Sequence, residues 1–411
     1  MSTCLRYHLN HTFNYRDTLS FVRILQISSA LDSTFGGPPN VVINSHIALQ
    51  GKVEEATLLV VGQTLSSFKS TCKDNFLPTD EIILFESKRN SFYGKNLSII
   101  EVWKLHKLIK KCDVILTHQL YNFQNIYLVI LSRINKKPFV LMPHGTMTTY
   151  QKKQHRIRKL FVDFLLFNSV KKSCSGIAVA TNIEYEQMSV QLRKKSRNIG
   201  IGFSLNIKAQ VDKKRAGSPT FAFLGRLAKV KRVDLTIAAF KIFSDNYPNS
   251  KLEVIGDGES KIVNDLKHLT KNLGIEKRVT FHGWLDSAEK TKVLQDCSFL
   301  VLNSENENFG IAAVEAQSLG IPVLVTKFVG YSEIVEKYKT GFVVESLDSN
   351  SIARGMKKLT ESPYLDLSTN SLLAAKRLVW SEVIINWINF LEEESRKTKR
   401  EIPYIQSFHL E

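Results

Sequence analysis

The chain reads as an α/β protein of two doubly wound parallel sheets, and three observations lead there. Short continuous apolar runs of strand length alternate with segments of helical spacing, the pattern of strands buried on both faces beneath helices. The alternation stops at a polar, charge-dense segment, residues 208–219, and then starts again. At 411 residues, the chain also exceeds what one hydrophobic core commonly supports, so two domains of roughly 200 residues each are expected.

The expected division is an N-terminal extension (1–20), a first domain (21–207), a linker (208–219), a second domain (220–379) and a C-terminal segment (380–411). The first domain opens with an apolar strand at 22–28, a turn through Phe35-Gly36-Gly37-Pro38-Pro39 and a helix at 40–49. Further strands are predicted at 56–61, 113–117 and 138–142, separated by helical spacing at 99–111 and 125–134. The second domain alternates strands at 221–224, 252–255, 279–282 and 299–303 with helices at 234–243, 262–273 and 288–295. From Trp380 to Glu394, apolar residues at Val383, Ile384, Trp387, Ile388 and Leu391 give a helix one sticky face.

Composition narrows the setting. No apolar run reaches the roughly 18 residues that span a bilayer, and the first 20 residues are not patterned as a leader. Five cysteines, odd in number and without a Cys-Xaa-Xaa-Cys pair, argue against a disulfide framework or a zinc site and fit a reducing cytoplasm. The net charge of +17 is one-sided: residues 1–215 carry 31 Lys+Arg against 14 Asp+Glu, whereas 216–411 carry 25 of each. A basic first half points to an anionic partner, such as a membrane face, a pyrophosphate-linked lipid or nucleic acid. Nucleic acid is the minor reading, since no known nucleic-acid module is visible. Lys152, Lys153, Arg156, Arg158 and Lys159, followed by Phe161, Phe164, Leu165, Phe167, Lys171 and Lys172, make a basic segment. It either touches the inner membrane face or covers the sheet.

Chemistry concentrates in Glu307-Asn308-Phe309-Gly310-Ile311-Ala312-Ala313-Val314-Glu315, followed by Leu319-Gly320-Ile321-Pro322-Val323. If Gly310 occupies a strand-to-helix turn, the free N–H groups of the new helix suit a phosphate. Glu307 and Glu315 then reach different parts of one extended ligand, accepting from paired hydroxyls. Arg226 and Lys231, five residues apart at the end of the first strand of the second domain, suit a diphosphate.

This set resembles the signature of the family-four retaining glycosyltransferases (glycosyl transferases group 1). The resemblance runs from about Val22 to Glu394 and is strongest over 221–345. It implies a GT-B type fold of two facing Rossmann-like domains, with chemistry in the cleft. It places Glu307 on the transferred sugar and Glu315 on the ribose, with Asn308, Phe309 and Gly310 in the same donor loop and the pyrophosphate on Arg226 and Lys231. His144, in Pro143-His144-Gly145-Thr146-Met147, matches the family's cleft histidine near the transferred sugar, and Gly37 the glycine loop beside donor phosphate and acceptor. Two departures stand out. Arg232 occupies a position where glycine is usual, and Ile199-Gly200-Ile201-Gly202-Phe203 replaces the family's Ile-Pro-Asn-Gly-Ile. Gly256-Asp257-Gly258-Glu259 is read as a turn.

The implied partners are a nucleotide-sugar donor (UDP-, GDP- or ADP-linked) and a saccharide acceptor, lipid-linked at the inner membrane face as in O-antigen, capsule or other envelope polysaccharide assembly. No Asp-Xaa-Asp is present, so no metal and no cofactor is expected, and Arg226 and Lys231 stand in for the metal. A nucleotide-sugar isomerase on the same architecture and a catalytically silent sugar-binding relative are the competing readings.

Overall fold

A computed structural model describes residues 20–32, 37–91, 94–147, 167–204 and 218–400. The N-terminal extension, the Gly36 half of the first turn, most of the 208–219 linker and the basic stretch 152–166 lie outside the described residues.

Two parallel sheets are observed, as the alternation predicts. The first has seven strands, β1 (Ser20–Ser28), β2 (Val53–Val61), β3 (Ile82–Phe85), β4 (Val114–His118), β5 (Phe139–Met142), β6 (Gly176–Val179) and β7 (Ser196–Asn198). They run in the order β3-β2-β1-β4-β5-β6-β7. The second has β8 (Thr220–Leu224), β9 (Lys251–Ile255), β10 (Val279–Gly283), β11 (Phe299–Leu302), β12 (Val323–Thr326) and β13 (Gly341–Val344), ordered β10-β9-β8-β11-β12-β13. In each sheet the chain winds outward one way, returns, and winds the other way. The switch falls between β1 and β4 in one sheet and between β8 and β11 in the other, and such crevices at the carboxyl ends of strands are where ligands bind.

The period-two alternation of a strand assigns each side chain to a face. On β1, Leu25 and Ile27 pack with Leu105, Ile109 and Leu128 of the helices Ile99–Lys111 and Gln124–Ile134. Val22 and Ile24 face the other way, into a core shared with Val41 and Leu49 of the helix Gly37–Leu49 and with Trp387 of the helix Trp380–Arg400. That second core continues through Ala180 to Phe309, Val329 and Tyr331, so apolar burial is continuous between the sheets.

The terminal helix lies on the first sheet. Trp387, fully buried, donates its indole N–H to the Gly200 carbonyl at 3.1 Å, and Glu393 forms a bidentate pair with Arg197. Gly202 leaves room for Trp380, whose ring atoms lie as close as 2.4 Å to where a Cβ would stand. The segment after β7 is thus a seat for the returning helix.

Some expectations need correction. The helix expected from Asn40 begins at Gly37; Pro38 and Pro39 form its first turn, where a missing N–H costs nothing and the fixed φ favours the helix. Strands β3, β6, β7, β12 and β13, of three or four residues each, were not predicted, because runs that short carry too little periodicity; nor were the helices Ser332–Tyr338, Ser349–Glu361 and Tyr364–Lys376. Gly256 and Gly258 do more than turn the chain: a Cβ on them would lie 2.0 Å from the Gly225 carbonyl oxygen and 2.1 Å from that of Leu227, so they let the loops after β8 and β9 lie against each other.

Candidate functional site

The loop after β11 carries the glutamate motif and is shaped by two glycines. Gly310 has φ +104° and precedes the helix Ile311–Ser318; a Cβ there would crowd Val329 and Tyr331, so both conformation and space call for glycine. The helix has no side-chain cap and no acid in its first turn, which leaves its first N–H groups and positive dipole end for an anion. Gly330 lets a second loop pass underneath. Its N–H donates to the Glu307 carbonyl at 2.8 Å, and a Cβ on it would stand 2.0 Å from the Asn308 carbonyl oxygen. Phe309 is buried against Tyr331 and anchors the loop from below.

Each carboxylate of the motif meets a cation. Glu307 pairs with Lys231, which follows β8 in a 3-10 turn, Lys229–Lys231. Glu315 pairs with Lys290 at 2.8 Å, from the helix Ser287–Gln295 that follows β10. Arg226 is exposed at the carboxyl end of β8. Arg232 takes the left-handed conformation, φ 49° and ψ 44°, which supplies a physical reason for glycine at this position. Its guanidinium turns to Asp234 at 3.0 Å, and its carbonyl accepts from Asn303 Nδ2 at 2.9 Å. The extra cation is thus tied to its own helix.

The first sheet contributes the opposite wall. Gly37 starts the helix after β1, and a Cβ on it would come within 3.5 Å of Ile311 Cδ1. His144 follows β5 with φ 51°, a conformation uncommon for a residue with a side chain. The adjacent Gly145 lies against the Asn308 side chain, whose Cβ and Cγ are 3.1 Å from where a Cβ on Gly145 would be. Gly37, the His144 turn and the 307–311 loop therefore converge, and Lys231 joins them through Glu307.

Behind His144 runs a polar chain. His118 Nδ1 lies 2.8 Å from His144 Nε2, the rings stacking at 5.1 Å, and His118 Nε2 lies 2.8 Å from Gln26 Nε2. Gln26 also donates to Ser45 Oγ at 2.8 Å, whose hydroxyl donates to the Val42 carbonyl at 3.0 Å. With the Gln26 amide donating to both, His118 accepts at Nε2 and donates at Nδ1, so His144 keeps its proton on Nδ1. Burial holds both imidazoles neutral: His144 falls to about 3, and His118 lies well below its ordinary value, with His144 lowering it further.

A second group ties the walls together. Glu184, buried, accepts from the Gly145 N–H at 2.6 Å and the Ala180 N–H at 3.0 Å. Its carboxyl is raised by burial, offset by these N–H groups and by Asn308. Thr181 accepts from Glu184 N–H at 3.2 Å and donates to the Asn308 carbonyl at 3.1 Å.

Sequence reasoning did not find Gln26, His118, Glu184, Thr181, Lys290 or Gly330. Signals existed for three of them. Gln26 is a polar residue inside an apolar strand, and Thr181-Xaa-Xaa-Glu184 matches a capping-box pattern whose glutamate here reaches across to Gly145.

Residues 206–374 match the family model "Glycosyl transferases group 1". Mannosylfructose-phosphate synthase of Agrobacterium fabrum is 30% identical over 141 residues, 33% of this chain and 31% of that protein; the chain thus spans about a third of that relative's length. The capsular polysaccharide biosynthesis glycosyltransferase CapM of Staphylococcus aureus is 24% identical over 267 residues, covering 58% of this chain and 68% of that protein. Among solved structures, Anabaena HepE in complex with UDP superposes with TM-score 0.72 at 20% identity, over 90% of this chain and 100% of that one. WaaG, a glycosyltransferase involved in lipopolysaccharide biosynthesis, does so with TM-score 0.61 at 14% identity, over 90% and 99%. Residues 206–374 therefore resemble the glycosyl transferases group 1 family, and the chain has a two-sheet fold of GT-B type.

Proposed function

We propose that the chain transfers a hexose from a nucleotide-sugar donor to a saccharide acceptor with retention of anomeric configuration and without a metal. The observation that carries this reading is the joint placement of Lys231, Glu307 and the uncapped start of the helix Ile311–Ser318, opposite Gly37 and the His144 turn. A cation and helix N–H groups that converge on one point stabilise the charge that develops on the β-phosphate as a nucleoside diphosphate leaves. Arg226 adds a planar fork from the rim. Glu315 takes the ribose hydroxyls, and Glu307 the transferred sugar together with Asn308, Phe309 and Gly310. His144, with its proton on Nδ1 and neutral at physiological pH, presents a hydrogen-bonding edge to the sugar rather than a charge.

The acceptor is proposed to be a lipid-linked saccharide of envelope polysaccharide assembly, of O-antigen or capsule type, met at the inner face of the cytoplasmic membrane. The basic first half and the resemblance to CapM and WaaG support this reading. The domains are proposed to divide as the sequence indicates, at the 208–219 linker, with the segment from 380 returning to the first. A thermal-shift screen of UDP-, GDP- and ADP-sugars identifies the donor, since a ligand bound only by the folded state raises apparent stability. Glu307→Gln is expected to keep donor-induced stabilisation and lose turnover by more than about a hundredfold. Full turnover in Glu307→Gln, or activity abolished by chelator and restored by magnesium, would overturn the mechanism.

A further inference from the structure

The helices Ile99–Lys111 and Gln124–Ile134 lie side by side on the face of the first sheet away from the terminal helix. They are joined by hydrogen bonds from Asn135 Nδ2 to His106 Nδ1 at 3.0 Å and from Leu97 N–H to the Tyr127 hydroxyl at 3.3 Å. Leu105, Ile109 and Leu128 face inward. The outward side is apolar where water would favour polar residues. Ile99 is 89% exposed, Trp103 55%, Ile130 58% and Ile134 64%. Single exposed hydrophobics need no explanation, but several on two adjoining helices do.

The charge around them is of one sign. Residues 99–111, 124–137 and 168–173 carry nine lysines and arginines against one carboxylate, Glu101. That carboxylate is already paired with Lys95 at 2.6 Å. The helix Asn168–Ser173 extends the basic rim, since Arg133 reaches Ser173 Oγ at 2.9 Å. Lys107 holds its amine 3.4 Å above the Trp103 ring, an arrangement in which an aromatic ring and a cation share one small area.

From this juxtaposition we infer that the outer face of these two helices docks on a bilayer surface bearing anionic lipid, with Trp103 and the exposed isoleucines seated among the headgroups and the lysines on the phosphates. Trp sits well at that depth, because its ring is apolar and its N–H is polar. Lysine stems cover apolar surface while their amines stay at the charged layer. The one-sided charge complements an anionic leaflet, and no helix among the described residues is long and apolar enough to cross a membrane, so the attachment is peripheral. The surface is distinct from the donor cleft. It bears on where a lipid-linked acceptor is met, and its test does not depend on transfer activity.

The experiment uses the full chain with vesicles of phosphatidylcholine alone or with phosphatidylglycerol added. Cosedimentation is expected only with the anionic vesicles, and salt is expected to reverse it within the range where surface charges are screened. Replacing Lys104, Lys107, Lys110 and Lys111 by Gln is expected to weaken binding by more than about a hundredfold. Trp103→Phe is expected to remove a blue shift of Trp fluorescence on vesicle addition while leaving the melting temperature and the donor-induced thermal shift as in the wild type. Equal binding to both vesicle types, no binding by the wild type, or unchanged binding by the lysine variant overturns the inference. Binding of anionic vesicles that leaves the Trp103 signal unmoved places the contact elsewhere and overturns it as well. Loss of transfer activity with docking intact would instead count against the proposed reaction.

Discussion

Thr181 and Asn308 meet across the cleft, the threonine hydroxyl donating to the asparagine main-chain carbonyl at 3.1 Å. Asn308 is the residue after Glu307, and Thr181 ends the stretch that follows β6 of the first sheet. This hydrogen bond links the wall that carries His144 to the loop that carries the glutamate. Glu184 reinforces the link from the same short helix, Asn182–Glu186, by holding the Gly145 N–H.

Gly330 makes this meeting sterically feasible, since a Cβ on it would lie 2.0 Å from the Asn308 oxygen and 2.7 Å from Thr181 Cγ2. Gly330→Ala is expected to cost about 1–3 kcal/mol of stability by overpacking and to lower kcat/KM further by moving Glu307. Denaturation midpoints and steady-state rates, compared with wild type, check it; an unchanged kcat/KM would show that the loop tolerates the shift.

Lys231 serves both Glu307 and, in the proposed reaction, the leaving diphosphate. Lys231→Met is expected to weaken binding of the nucleoside diphosphate product by about tenfold to a hundredfold, the range for hydrogen bonds to charged groups. It also leaves a partly buried carboxylate unpaired. Calorimetric titration of the product into Lys231→Met, Glu307→Gln and the double variant separates the two effects: with Glu307 already neutral, Lys231→Met should still weaken binding.

The conformation of Arg232 gives a stability prediction of either sign by choice of residue. At φ 49°, glycine is free of the strain a side chain meets, and the partly exposed Asp234 pair is worth about 0–1 kcal/mol. Arg232→Gly should leave the melting temperature equal or higher, and Arg232→Val should lower it, because β-branched residues are the poorest fit to the left-handed region. Equal melting temperatures for the two would refute the assignment.

Three buried histidines predict acid sensitivity. His46 falls to about 4 and His144 to about 3, both through burial, and His118 is lowered likewise. Each is neutral when folded, whereas the unfolded chain takes up protons below about 6.5, so stability is lost as pH falls through the interval between the two values. The slope is about 1.4 kcal/mol per pH unit for each fully titrating group. Glu184 works the other way: its raised carboxyl costs stability as pH rises above its ordinary range. Urea midpoints measured from pH 7 to 5 should fall, and less steeply in His46→Gln. A flat profile would mean that these rings are not neutral in the folded chain.

Much of this was legible in the chain itself, because the physics is local. Apolar runs such as 22–28 and 299–303 become central parallel strands, since a strand buried on both faces must be apolar throughout. Gly310 could be assigned its turn because only a residue without a Cβ fits that backbone. The helix Ile99–Lys111 was read to its observed ends from its helical spacing. Tertiary structure decided what distance in sequence conceals. Gln26 and His118 are 92 residues apart and Thr181 and Asn308 127 apart, and neither pair has a periodicity or spacing that announces it. Arg232 in a left-handed turn and Gly330 beneath Asn308 follow from close approach between loops, which arises only once both sheets have formed and their strand ends face one another.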